Sequence, residues 1–261
     1  MIPFNKIALI GSGNVSFALF KALKNNGISV DAVFARNKDK KHEIEELFGV
    51  KVLTEYEEIF DCDLVIIAVK DDAIKDVASN LNDYKGLLVH TSGTQSSSLL
   101  NNVENYGILY PLQTLTKDFD VDFKKIPLLI NASSSDSLNK IKTLATSISD
   151  IVMECSDEER IHIHMSAVYV SNFVNVMLQI GNKLLNDRGF DISLLESLVK
   201  ETVNKSFVLG PDEALTGPAK RGDFDTINKH LSLLDNNLQE KKIYELLTNY
   251  ILNKYSHNEK L

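Results

Sequence analysis

Cysteine is scarce in these 261 residues: Cys62 and Cys155 stand far apart, in no CxxC or His-containing spacing. Two isolated thiols exclude a disulfide framework and supply no zinc-ligand pattern, so a reducing compartment fits and no metal is expected. Positive charge is short as well. With 28 Lys and Arg against 36 Asp and Glu the formal net charge is -8, and no basic cluster interleaves with aromatics. That balance excludes a nucleic-acid footprint. Long apolar runs are missing: no uninterrupted stretch reaches the roughly 18 residues of a spanning helix. The opening MIPFNKIALIGSG lacks a basic n-region, a long apolar core and a small-residue cleavage site. The expectation is an unprocessed cytoplasmic protein with no membrane span. Internal repeats are absent, and the low-complexity content is limited to the short loop Ser133-Ser134-Ser135.

What is present is a 44% hydrophobic chain, long enough for one ordinary domain and a smaller one. Lys6 to Ile10 is an apolar, branched run followed at once by glycines and by a helical pattern through Phe17, Phe20 and Leu23. Asn25-Asn26-Gly27 closes that helix, and Ile28 to Ala35 reads as a second strand. A charged helix over Lys38 to Phe48, a short strand Lys51 to Leu53 and the continuous apolar run Asp63 to Val69 follow. Asp72 to Leu81 predicts a helix, Gly86 to His90 and Gly107 to Leu109 strands, and Ile126 to Asn131 and Ile151 to Met153 two more, with a helix over Asp136 to Ile148 between them. This alternation predicts a doubly wound parallel α/β sheet, with ligands outside the carboxyl ends of its strands. After Met153 the texture becomes helical: Asp157 to Leu185, Ile192 to Val208, Asp225 to Leu234 and Leu238 to Tyr250. The expected organisation is a Rossmann domain over 1–155 and an all-helical domain over 156–261, joined abruptly near Ser156 and sharing a cleft.

Gly11-Ser12-Gly13-Asn14-Val15-Ser16 follows the first strand and opens the first helix. Gly11 allows the tight turn, Gly13 lets backbone amides approach a pyrophosphate, and the helix N-terminus directs partial positive charge at it. Ser16 replaces the third glycine and is small enough for close helix-strand packing. At the end of the second strand stands Ala35-Arg36-Asn37-Lys38, with no acid at the position that bonds an NAD ribose. Arg36 and Lys38 suit a 2′-phosphate, so NADP(H) is favoured over NAD(H). Val69 and Lys70, where the DLVIIAV strand ends, complete the nucleotide set.

Four further motifs, His90-Thr-Ser-Gly-Thr, Tyr110-Pro-Leu-Gln-Thr, the polar run of the long helix and Leu215-Thr-Gly-Pro-Ala-Lys-Arg-Gly-Asp, give the whole chain a resemblance. It resembles the Rossmann-like candidate NADP oxidoreductases that carry a C-terminal DUF2520 domain, related to pyrroline-5-carboxylate reductase, 6-phosphogluconate dehydrogenase and ketopantoate reductase. The resemblance implies reduction of a small carbonyl or imine acid, with ketopantoate or a similar 2-oxo acid as the leading substrate. The related dehydrogenases place a Lys four residues before an Asn on the corresponding helix. Here Val168 precedes Asn172, which removes the expected proton donor.

Such a reduction needs a proton donor at the carbonyl and a group to fix the acid. His90, Ser92 and the Gly93 amide, at the carboxyl end of a strand, are candidates for binding the substrate's acid group, as are Gln113 after the next strand and Asn175 on the long helix. On the long helix His164, Ser171, Asn175 and Asn182 fall on one stripe among apolar neighbours, with Asn172 beside it. Burial of these side chains demands partners, since an unpaired one costs roughly 1 to 3 kcal/mol. His164 and Asn172 are the candidates for proton transfer, with Ser92, and His164 is the nearest titratable substitute for the missing Lys. Thr216 and Arg221, on the Gly/Pro loop, are candidates for gripping a carboxylate. A surface contact from Arg221 to Asp223 is the plainer alternative. The apolar character of residues 161–185 predicts a homodimer through the helical domain. A catalytically silent NADP(H)-binding sensor or interaction protein is the alternative function.

Overall fold

The computed structural model describes residues 2–35, 39 and 41–255. Among the described residues eight strands form one sheet in the order β3-β2-β1-β4-β5-β6-β7-β8. Strands β1 (Ile7–Ile10), β4 (Leu64–Ile67) and β5 (Leu87–His90) are buried at every residue. Their branched runs satisfy a sheet covered on both faces. Alternate residues feed two cores: Ile7 and Leu9 pack with Leu19, Phe20, Phe48 and Leu144, while Ala8 and Ile10 pack with Ile59, Ile74, Val77 and Leu100. That division is the period of two of a pleated strand.

Helix α1 (Asn14–Asn25) leads from β1 to β2 (Ala32–Phe34), shorter than the strand expected over 28–35. Helix α2 (Lys41–Phe48) leads on to β3 (Lys51–Leu53). A 3-10 turn, Tyr56–Ile59, precedes β4, and a second one, Asp71–Ala73, precedes α3 (Ile74–Ser79). β5 and β6 (Tyr106–Pro111) are joined through the 3-10 turn Ser97–Leu100.

The sheet is not parallel throughout. β7 (Leu128–Ala132) runs antiparallel to β6, with Gly107 opposite Ala132 and Pro111 opposite Leu128. The connection between them carries an isolated bridge between Thr116 and Phe119 and the 3-10 turn Phe123–Lys125 but no α-helix, so nothing returns the chain to the starting edge. Helix α4 (Ser135–Ile148) restores a crossover, and β8 (Val152–Glu154) is again parallel to β7.

The long helix begins at a complete capping box. Ser156 accepts from the Glu159 amide, and the Glu159 carboxylate accepts from the Ser156 amide at 2.7 Å. It comprises α5 (Asp157–Ala167), one π-turn (Val168–Asn172) and α6 (Phe173–Asn186). The chain divides into compact units at that π-turn, Met1–Asn172 and Phe173–Leu261, rather than near Ser156. α5 belongs with the sheet because its first two turns are bonded to the sheet's loops.

The second unit continues through a 3-10 turn (Ile192–Leu195), α7 (Glu196–Leu209), α8 (Pro211–Ala214), α9 (Pro218–Arg221), α10 (Phe224–Leu233) and α11 (Leu238–Lys254). Among the described residues it contains no strand. The stretch read as a Gly/Pro loop, Thr216 to Asp223, folds into α9, and α8 precedes it; each has Pro in its first turn, where a missing amide costs nothing.

Candidate functional site

Gly11 has φ +114°, a conformation other residues rarely adopt, and a Cβ there would lie 2.4 Å from the Ala68 carbonyl oxygen. Ser16 is fully buried and its hydroxyl donates to the Gly11 carbonyl at 2.7 Å. Its substitution for glycine therefore adds a bond that pins the turn. Gly13 precedes α1, no side chain caps that helix, and a Cβ at Gly13 would meet nothing within 4 Å. The tolerance at Gly13 is empty space, which is what a backbone presented to a ligand requires. An open cavity of 770 Å³ lies here, lined by Gly11 to Val15, Ala68, Val69, Lys70, Asp72, Ala73, Asp76 and Leu115. Its size lies in the range of cofactor sites, and amides at an uncapped helix start suit a pyrophosphate. Arg36, Asn37 and Lys38 lie outside the described residues.

β1, β4, β5 and β6 pair in parallel, so their carboxyl ends share one edge. On that edge, beyond β5, His90 is completely buried. Its Nε2 faces the Ser96 carbonyl at 3.2 Å and its Nδ1 accepts from the Ser92 amide at 3.2 Å. Burial drives its pKa down to about 4, so this imidazole is neutral. The Ser92 oxygen accepts from the Thr94 and Gln95 amides at 3.1 and 3.0 Å. Both side chains shape the turn.

The turn holds Gly93 beneath two rings. A Cβ at Gly93 would lie 2.6 Å from His164 Nδ1 and 2.8 Å from Tyr110 Cζ, so only glycine leaves room. Above it the Tyr110 hydroxyl and His164 Nδ1 are hydrogen-bonded at 2.9 Å. Burial first, and then the charge of Asp71, push the Tyr110 pKa up, while Arg160 opposes them. Thr94, next to Gly93, donates its hydroxyl to Asp71 at 2.7 Å. A phenol held protonated against an imidazole, on the edge that carries the Gly11 turn, is an arrangement chemically able to pass a proton.

His164 is positioned from below by α5. Asp157 Oδ2 accepts from the Ser96 hydroxyl at 2.7 Å and the Ser97 amide at 2.8 Å, and Oδ1 accepts from Asn131 at 3.1 Å and Arg160 at 2.7 Å. Arg160 is fully buried and also donates to the Gln95 carbonyl. Although burial opposes it, bonds from Ser96 and Arg160 hold the Asp157 carboxyl well below the usual carboxylate range. The sequence reading missed Tyr110, Asp71, Thr94, Asp157 and Arg160 as site residues. A signal existed: Ser156-x-x-Glu159 announces a helix start, and Arg160 falls one turn inside it, four residues before His164.

The polar stripe expected to be buried is not. Asn175 is exposed and bonds Gln179 at 2.7 Å, and Asn182 bonds Asn186 at 3.3 Å, so both find partners along their own helix. The π-turn between His164 and Asn175 also changes the angular spacing, so the two are no longer on one line. Asn172 ends the π-turn and is exposed, as are Gln113 and Thr216. Gln113 bonds the Thr114 amide at 2.9 Å. Arg221 lies 3.9 Å from Asp223, the surface contact weighed as its plainer role. Among the described residues no cluster of His, Cys, Asp or Glu could hold a metal ion.

Residues 6–90 match the family described as "NADP oxidoreductase coenzyme F420-dependent", and residues 126–251 match DUF2520, a domain of unknown function. A solved protein of Bacteroides fragilis, named as a candidate NADP oxidoreductase, is 32% identical, with 95% of this chain and 98% of that chain covered and a TM-score of 0.87. Pyrroline-5-carboxylate reductase from Streptococcus pyogenes shares the fold at 15% identity, covering 95% and 98%, with a TM-score of 0.62. An imine reductase from Myxococcus stipitatus, solved with NADP+, shares it at 16% identity, covering 97% and 93%, with a TM-score of 0.60. Glutamyl-tRNA reductase of Sulfolobus acidocaldarius is 36% identical over 67 residues, which span 25% of this chain and 16% of that protein.

Proposed function

Given that the chain belongs to the family of Rossmann-type NADP oxidoreductases with a DUF2520 domain, we propose that it is an NADPH-dependent reductase of a small carbonyl or imine acid. Ketopantoate is the first 2-oxo acid to test. The observation that carries this reading is the Tyr110–His164 pair on the sheet edge that also bears the open Gly11 turn. When bound, NADPH supplies the hydride. The amides of Gly11 to Val15 receive the pyrophosphate, Lys70 adds positive charge, and Arg36 and Lys38 favour a 2′-phosphate over a bare ribose. Tyr110 donates its hydroxyl proton to the substrate heteroatom, and His164 Nδ1 resupplies it. The Ser92 hydroxyl proton and the Gly93 amide are offered to the substrate's acid group. This division of labour needs no Lys at Val168.

NADPH oxidation followed across a panel of 2-oxo acids and cyclic imine acids tests the reading. Tyr110→Phe and His164→Ala are each expected to lower kcat about a hundredfold while NADPH affinity stays. A second reading, a catalytically silent NADP(H) sensor, is favoured by the absence of a Lys at Val168. NADPH binding without turnover of any substrate, together with unaltered behaviour of both variants, would establish it instead. A cytoplasmic location and a homodimer through the helical unit complete the proposal.

A further inference from the structure

The geometry points to a specificity-determining role for Asp71, whose carboxylate selects a cationic carbon–nitrogen double bond over a neutral carbonyl. This assignment rests on the reductase reading and chooses between its two substrate classes.

Asp71 follows β4 at the shared carboxyl edge, and Thr94 holds its Oδ2 at 2.7 Å. Thr94 is bonded in sequence to Gly93, the floor beneath Tyr110 and His164. The carboxylate is therefore tethered by one hydrogen bond and one peptide link to the glycine on which Tyr110 and His164 rest. Among the described residues the other charges facing this place do not cancel it. Arg160, which opposes Asp71 at Tyr110, is paired with Asp157 at 2.7 Å, its own side chain fully buried and the carboxylate partly exposed. His90 is neutral. Lys70 lines the nucleotide cavity with Gly11 to Val15. Among the described residues, the negative charge of Asp71 thus outweighs the positive charge of Arg160 at Tyr110.

Reduction of a carbonyl moves an electron pair onto oxygen, and a developing alkoxide next to a carboxylate is penalised. An iminium behaves differently. The hydride forms a new C–H bond at the iminium carbon, the C=N π pair moves to nitrogen, and NADPH becomes NADP+. As Tyr110 passes a proton to that nitrogen, the product is an ammonium, so the nitrogen is cationic in substrate and product alike. Asp71 faces a positive charge at both ends of the reaction. An iminium also arrives already protonated, which explains how the chain dispenses with a Lys at Val168.

Two isosteric probes separate the classes without turnover: proline, whose ring bears an ammonium, and tetrahydrofuran-2-carboxylate, whose ring bears an ether oxygen. Calorimetry with and without saturating NADP+ is expected to show proline binding about tenfold tighter to the native protein. Asp71→Asn, which keeps the bond from Thr94, is expected to erase that preference. In turnover, the ratio of kcat/KM for a five-membered cyclic imine acid to that for ketopantoate should fall about tenfold in the same variant. Equal binding of the probes, or a preference that survives Asp71→Asn, overturns the assignment while leaving the reductase reading intact. Failure to bind NADP+ at all, read in the nucleotide titration alone, overturns both.

Discussion

Two glycines of one turn answer to different constraints, and substitution separates them. Gly11 has no room for a side chain because the Ala68 carbonyl would sit 2.4 Å from its Cβ, and its positive φ adds strain. Gly11→Ala is therefore expected to lower the unfolding free energy by about 1 to 3 kcal/mol in denaturant titration, and to weaken NADPH binding with it. Gly13 has open space around it. Gly13→Val should leave the denaturation midpoint near that of the native protein while reducing NADPH affinity at least about tenfold in a fluorescence titration. Equal loss of stability in both variants would show that the turn is only structural.

His90 makes a prediction about pH. Its pKa falls from 6.5 in the unfolded chain to about 4 when buried. Above pH 6.5 it is neutral in both states and has no effect. Between 6.5 and 4 the unfolded chain binds the extra proton, so stability declines as pH falls, by about 3 kcal/mol over that window. Unfolding curves at pH 7 and pH 4.5 should show this slope, and His90→Asn should flatten it. A slope identical in the variant would assign the acid sensitivity to other groups.

At the scale of elements, α5 is docked by charge rather than by an apolar face. Asp157→Asn leaves the Arg160 guanidinium buried without its counter-charge, and removing one partner of a buried pair costs about 3 to 5 kcal/mol. Thermal or denaturant unfolding should register that loss. Because α5 also carries His164, the amide hydrogens around 93–97 should exchange faster in the same variant. Unchanged stability would mean that solvent reaches Arg160.

The sequence made much of this legible, for reasons that differ by element. β1, β4 and β5 are read from unbroken branched runs, and the Gly11 turn from its place between strand and helix. The direction of β7 is not written in its residues: LLINA reads the same either way, and only the missing helix between β6 and β7 decides it. Arg160 reads as a solvated charge near a helix start, since burial of a guanidinium depends on residues 95 and 157 meeting in space. Tyr110 and His164 lie 54 positions apart, and nothing local announces their bond.

On the whole-molecule scale, the second unit is short of core. Among its described residues the buried apolar side chains are Ala219, Ile227, Leu234 and Leu252. Phe207 is 88% exposed, and Val208, Leu194, Leu198, Leu246 and Tyr250 are exposed with it. So little buried surface cannot offset the entropy of ordering the helices, about 1 to 2 kcal/mol per residue for backbone alone. The apolar faces must be covered, and a second copy of the same chain is the partner present whenever the protein is. One helix, Asp157–Asn186, is also long and apolar enough by composition to cross a membrane, but Asp157 and Arg160 at its start are bonded to the sheet's loops. A homodimer is therefore expected in sedimentation velocity at micromolar concentration. Phe207→Asp should shift it toward monomer and lower the thermal midpoint, because it puts a charge in place of an apolar side chain that the lone chain leaves 88% exposed. In a lone chain the same change at an exposed position would leave stability within about 0.5 kcal/mol. A native protein that sediments as a monomer, with Phe207→Asp indistinguishable from it, would leave these helices with no partner to account for them.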